Sequence, residues 1–135
     1  METRVWTVVF ALMLLQGAVA SQEPNDPAWC KNFGLLFHQY TSWREQGKTV
    51  KQSLEYIAQT NRELVERSNP VSQDTVKVFN TLAIGVVVHV YQHPMYRAFG
   101  PEMNRNMAQS RCEQVGAENF MLEIDKEMRK LVSQK

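Results

Sequence analysis

Hydrophobic side chains recur every three or four positions along most of the chain beyond residue 26. This spacing puts apolar side chains on one face of an α-helix. Pro27 and Gly47 stand where helices prefer proline at the start and glycine after the end. The segment between them is therefore predicted to be an amphipathic helix, whose apolar face carries Trp29, Phe33, Leu36, Phe37, Tyr40 and Trp43.

A second helix is predicted from Thr49 onward. Thr49 and Gln52 have the spacing of a capping box, in which each side chain bonds the other residue's backbone N–H. Asn69 precedes Pro70, which disfavours helical geometry and should end the helix. The apolar stripe between these signals consists of Val50, Leu54, Ile57, Ala58 and Leu64.

A third helix is predicted from Ser72 to about Gln92, with a hydrophobic staple of Val71 and Val76 at its start. Its second half contains the run "AIGVVVHVYQHP", which is apolar nearly all round and too short to span a membrane. A lone strand would leave its backbone groups unpaired. We therefore expect the central, buried helix of the domain, in which Gly85 marks either close helix packing or a gap for an apolar ligand.

Two further amphipathic segments follow. Pro101 fits the first turn of a helix over residues 101–116, which contains Cys112, and a last helix covers residues 117–132. Only Gly116 separates them, so they form either two helices or one continuous helix. The elements together predict an all-α fold, a small single-domain bundle of four to five helices around a central apolar helix.

The first twenty residues indicate export. Arg4 precedes an apolar stretch that ends in small residues at Ala18 and Ala20, the order found in secretory signal peptides. An uncleaved anchor helix is the alternative. We predict a signal peptide at residues 1–20, a helical domain at 21–135 and a periplasmic or secreted location, with no membrane span after cleavage.

Two cysteines, Cys30 and Cys112, follow the predicted cleavage site. An even pair in an oxidising compartment is typical of a disulfide, and two cysteines allow a single pairing. Two free thiols are the alternative. The predicted bridge would tie the first helix of the domain to the fourth.

Charge and motifs exclude several functions. A net charge of +1, with both signs interspersed, is unlike the strongly basic domains that bind nucleic acid. The sequence contains no nucleophile elbow, phosphate-binding glycine loop or metalloprotease motif. His89 and His93 would share a helix face, but zinc needs at least one further ligand that their neighbourhood does not supply. We expect no enzyme, no cofactor and no metal site.

A connection between the third and fourth helices is the candidate interaction surface. It carries Met95, Tyr96, Arg97 and Phe99, residue types that suit recognition of a protein partner. The alternative is that Tyr96 and Phe99 cap the core.

The segment 70–112 resembles the C-terminal half of small secreted immunity proteins, which protect bacteria against peptidoglycan amidase toxins delivered by type VI secretion. The similar elements are a proline-led cap, a valine-rich helix ending at Tyr91, His93 and Pro94, Arg97 beyond it, and a further helix ending in Cys112. The resemblance implies a small helical periplasmic protein that binds and occludes a toxin, often as a homodimer.

The leading hypothesis is an exported, non-enzymatic binding protein of this inhibitory or immunity type. The alternatives are a periplasmic stress chaperone, which would release a hydrophobic surface as acidic groups neutralise, and a carrier for a small apolar ligand held between helices.

Overall fold

The computed structural model describes residues 27–67 and 70–134, and every regular element in these ranges is a helix. The elements are α1 (Pro27–Glu45), α2 (Val50–Arg67), α3 (Pro70–Gln92), α4 (Pro94–Arg97), α5 (Pro101–Val115) and α6 (Ala117–Ser133). The all-α prediction is confirmed, with six helices in the described ranges rather than four to five. The predicted signal peptide, Asn69 and the side chains of the Val71–Val76 staple lie outside what the structure describes.

Local signals set most helix ends. The predicted capping box is present: the Thr49 N–H donates to Gln52 Oε1 at 2.9 Å, and the Gln52 N–H donates to Thr49 Oγ1 at 3.1 Å. Gly47 and Gly116 have φ of 86° and 88°, in the left-handed region that glycine adopts without strain. Because the chain turns at Gly116, the last two segments are separate helices.

The third helix begins at Pro70, two residues before the predicted Ser72. Proline suits the first turn of a helix because its missing N–H would have no partner there. The predicted end at Gln92 is confirmed.

The connection after α3 contains the one-turn helix α4 rather than a loop. Pro94 occupies its first turn, and His93 caps it by accepting the Met95 N–H at Nδ1 over 3.2 Å. The turn is short because Pro101 starts α5 soon afterwards.

The prediction of a buried helix is confirmed for the second half of α3. Ala83, Val86, Val87 and Val90 of α3 are completely inaccessible to solvent. The helix packs against α1, α2 and α6, while α1 packs most extensively against α5. The aromatic side chains of α1 complete the core, and these are Trp29, Phe33, Phe37, Tyr40 and Trp43.

Gly85 lies at a close approach between α3 and α6. A Cβ atom at this position would come within 2.6 Å of Ile124 Cγ2. Of the two explanations that the sequence allowed for this glycine, the structure therefore supports close helix packing.

The predicted disulfide joins Cys30 of α1 to Cys112 of α5, with a Cα–Cα distance of 5.3 Å and a sequence separation of 82. The bond covalently joins the two helices that pack most extensively against each other. Within residues 27–67 and 70–134, none of the helices combines the length and apolar character needed to cross a bilayer.

Candidate functional site

A half-open cleft of about 190 Å³ lies where the end of α3, α4, α5 and α6 meet. We call it the histidine cleft because it is lined by His89 of α3 and by His93, which caps α4. The lining residues come from all four elements and are His89, His93, Met95, Tyr96, Met107, Arg111, Phe120, Glu123, Ile124 and Glu127.

The hydrogen bonds of the two histidines fix their tautomers. His89 Nδ1 lies 2.8 Å from the Gly85 carbonyl, which can only accept, so Nδ1 carries a proton. His93 Nδ1 accepts the Met95 N–H and is therefore unprotonated. The rings stack nearly parallel, with centroids 5.3 Å apart. In the neutral pair, His89 Nε2 is an acceptor and His93 Nε2 is a donor.

Burial lowers the pKa of His89 below its usual 6.5, because desolvation penalises the imidazolium and the nearby His93 adds to this effect. The hydrogen bond to Gly85 and the charge of Glu127 act to raise the pKa of His89, but each of these effects is smaller than that of burial. His89 is only 3 % exposed. At neutral pH the inner histidine is consequently uncharged.

Carboxylates line the α6 side of the cleft. Glu123 accepts two hydrogen bonds from Arg111, at 3.1 Å from Nε and 2.6 Å from Nη2. The pKa of Glu127 is lowered, mainly by its hydrogen bond from Lys130 and also by the positive charge of that lysine. Burial and the charge of Glu123 raise the pKa of Tyr96 to about 12. The cleft thus combines fixed charges with uncharged aromatic groups.

Arg44 of α1 stabilises the backbone next to the cleft. Its guanidinium donates to the carbonyls of Val90, Tyr96 and Phe99 at 2.6, 3.1 and 2.6 Å. Asn104 Nδ2 also donates to the Tyr96 carbonyl, at 2.8 Å. These bonds add side-chain donors to backbone carbonyls at the ends of α3 and α4, where fewer backbone N–H donors are available.

The four predicted partner-binding residues separate into two groups. Met95 and Phe99 are 53 % and 43 % exposed, and Arg97 is also exposed. Tyr96 is 7 % exposed and packs against Phe37 with ring centroids 4.6 Å apart. Tyr96 therefore caps the core, as the alternative for this residue proposed, while its three neighbours face outward.

Two shallower depressions adjoin the histidine cleft. One shares Met95, Met107 and Arg111 with it. The other shares Glu123 and includes Leu122, which is 64 % exposed. We call this continuous surface the binding face and define it by Met95, Met107, Arg111, Leu122 and Glu123.

Sequence reasoning missed Arg44, Asn104, Glu123 and Glu127. Arg44 bonds residues 46 to 55 positions away, a relationship without a local sequence signal. The two glutamates fit the polar face of an amphipathic helix, and only the packing of α6 beside α3 brings them to the histidines.

In the described part of the chain, no cluster of three or more His, Cys, Asp or Glu residues is arranged to hold a metal ion.

Fold and site together define a small, disulfide-bonded helical protein with a half-open cleft. Comparison with protein-family models, curated proteins and solved structures finds no match to this chain.

Proposed function

We propose that the protein is an exported, non-enzymatic binding protein that attaches to another protein through the binding face. The observation that carries this proposal is the continuity of that face, which joins exposed apolar side chains to a fixed ion pair. Met95 and Leu122 supply the apolar area, and the Arg111–Glu123 pair lies between them. Methionine and arginine are enriched in protein interfaces.

The disulfide supports both export and a rigid binding face. Cys112 directly follows Arg111 on α5, so the bond to Cys30 anchors the wall of the cleft to α1. A surface that is ordered before binding loses less conformational entropy in the complex.

The chemistry of the cleft favours binding over catalysis. The lining residues of the described part include no serine, threonine or cysteine that could act as a nucleophile. The pKa of the Tyr96 hydroxyl is raised to about 12, so near neutral pH the group stays protonated and supplies no phenolate that could act as a base.

A carrier for an apolar ligand has less support. The close contact at Gly85 fills the space that such a ligand would need between α3 and α6. The cleft, at about 190 Å³, is also smaller than the roughly 300–1,000 Å³ of pockets that enclose drug-sized molecules.

As the partner we propose a peptidoglycan amidase toxin, which the protein would occlude as an immunity protein. The support is the position of the residues that carry the resemblance. His93 lines the cleft and Pro94 starts α4 directly after it. Arg97 is exposed at the end of the same one-turn helix, and the Tyr91 hydroxyl anchors the end of α3 by donating to the Lys48 carbonyl at 2.6 Å.

The test combines the oxidised protein, from residue 21 onward, with purified type VI amidases and measures their affinity and residual hydrolysis of peptidoglycan. Met95→Asp and Leu122→Asp place a charge on the binding face. Val78→Asp and Val132→Asp make the same kind of change at half-exposed valines that line none of the three depressions. Light scattering of each sample reports whether the protein is a homodimer.

We expect inhibition of one amidase, with affinity falling at least about tenfold in the face variants, as for anchor residues of interfaces. The two control variants should bind like the parent. Equal losses in face and control variants would refute the location of the interface. Failure to inhibit any amidase would refute the immunity role.

A further inference from the structure

His89 presents an unpaired hydrogen-bond acceptor to the cleft. Its Nδ1 proton is committed to the Gly85 carbonyl, and within residues 27–67 and 70–134 its Nε2 has no hydrogen-bond partner. The side chain is 3 % exposed, and it lines the cleft. Since burial keeps the ring neutral, Nε2 retains its lone pair near neutral pH. A group that pairs with His89 Nε2 must therefore supply a hydrogen-bond donor.

The walls around this acceptor favour a cationic donor. The carboxylates of Glu123 and Glu127 line the same cleft, together with the rings of Tyr96 and Phe120. Cations are attracted to aromatic faces as well as to carboxylates. The cleft therefore offers a cation three kinds of favourable contact.

Two cationic side chains near the cleft, Arg111 and Lys130, do not prevent a further cation from binding. Arg111 is held by both oxygens of Glu123 and cannot turn towards His89 without breaking that pair. Lys130 reaches Glu127 over 3.2 Å, but this is an exposed pair three residues apart on one helix. Such pairs contribute little and are readily exchanged. Glu127 is thus the carboxylate that a new cation can engage.

We propose that the histidine cleft binds the ammonium or guanidinium end of a lysine or arginine side chain supplied by the protein partner. The volume of about 190 Å³ suits one side chain rather than a larger molecule. The source of the basic group rests on the proposed function, whereas the preference of the cleft for such a group does not.

The first experiment uses small probes on the full oxidised protein. n-Butylammonium carries the charged end of lysine, and n-butanol has a similar size and a donor but no charge. Nuclear magnetic resonance of the histidine rings and the backbone reports where each probe binds. We expect shifts at His89, His93 and Tyr96 that saturate with n-butylammonium at a concentration at least about fivefold lower than with n-butanol, as a charge-assisted contact requires.

Glu127→Gln keeps the shape of the side chain and removes its charge, and it should weaken n-butylammonium binding by about threefold, the scale of an exposed ion pair. Glu118→Gln makes the same change at an exposed carboxylate in the first turn of α6, outside the cleft, and should have no effect. Equal binding of both probes, or equal responses of the two variants, would overturn the proposal.

The second experiment repeats these variants with the amidase partner. Weaker partner binding by Glu127→Gln, but not by Glu118→Gln, supports a side chain of the partner as the occupant. A complex that depends on Met95 but not on Glu127 overturns this inference while leaving the proposed function intact. If the isolated protein binds n-butylammonium saturably but partner binding does not depend on Glu127, the cleft would be assigned to a free amine instead.

Discussion

Replacing Gly85 with alanine tests whether α3 and α6 are as closely packed as the structure shows. The added Cβ would lie 2.6 Å from Ile124 Cγ2. Carbon atoms attract each other at about 3.5–4.0 Å, so this contact is too short by about 1 Å. Ile124 is itself buried in the core, and neither helix can move away without disturbing other contacts.

Two opposing effects set the magnitude of the change. Alanine in place of glycine inside a helix stabilises the folded state by about 1 kcal/mol. Overpacking a core usually costs about 1–3 kcal/mol, and the upper part applies here because the Cβ is fixed to the backbone. We expect Gly85→Ala to lower the free energy of unfolding by about 1–2 kcal/mol, the difference between these effects.

The assay is urea unfolding of the oxidised protein, followed by circular dichroism. Ile124→Leu removes the Cγ2 methyl group at nearly constant volume and should cost less than about 1.5 kcal/mol by itself. In the double variant the clash is absent. Its loss of unfolding free energy should therefore be smaller than the sum of the two single losses by more than about 0.5 kcal/mol. A Gly85→Ala protein as stable as the parent, or additive effects in the double variant, would refute the close contact.

Four further outcomes follow from the structure. Replacing Cys30 and Cys112 with alanine should lower the free energy of unfolding by about 4–5 kcal/mol, since the bond closes a long loop in the unfolded chain; a loss below about 1 kcal/mol in urea unfolding would contradict this. Arg44→Met removes three hydrogen bonds to carbonyls and should cost about 2–3 kcal/mol, seen as a lower Tm, and an unchanged Tm would count against the role of Arg44. Because the pKa of Tyr96 is raised to about 12, the stability it contributes is complete below pH 10 and is lost as the pH rises towards 12; Tyr96→Phe should reduce this loss in urea titrations. Because the pKa of His89 is lowered, stability is complete above about pH 6.5 and falls with the pH below it, and His89→Gln should remove that slope.

The parts of the fold that sequence predicted are those with local causes. Thr49 and Gln52 form their capping box within four residues, and Pro94 and Pro101 end or begin helices through their own geometry. The burial of the second half of α3 followed from its apolar surface, because residues 82–90 carry almost no polar side chains that could meet solvent. The pairing of Cys30 with Cys112 required only that both be oxidised.

The candidate site was predictable only in part. Met95 was expected to be exposed because it lies in a short connection between helices. For Tyr96 and Phe99 the sequence left open whether they cap the core, and only Phe99 is exposed. The role of Tyr96 depends on how α1 packs beneath it, and Glu127 approaches His89 only because α6 crosses the end of α3. Helical periodicity assigns a side chain to a face, but it does not tell which other helix that face will meet.

The cleft and the core depend on the same few contacts. Arg44 and Asn104 donate hydrogen bonds to the carbonyl of Tyr96, and the tyrosine ring packs on Phe37. With the ring fixed, the preceding residue, Met95, points outward at the edge of the cleft. A substitution in this buried framework should therefore alter binding through the position of α4, even where no binding residue has changed.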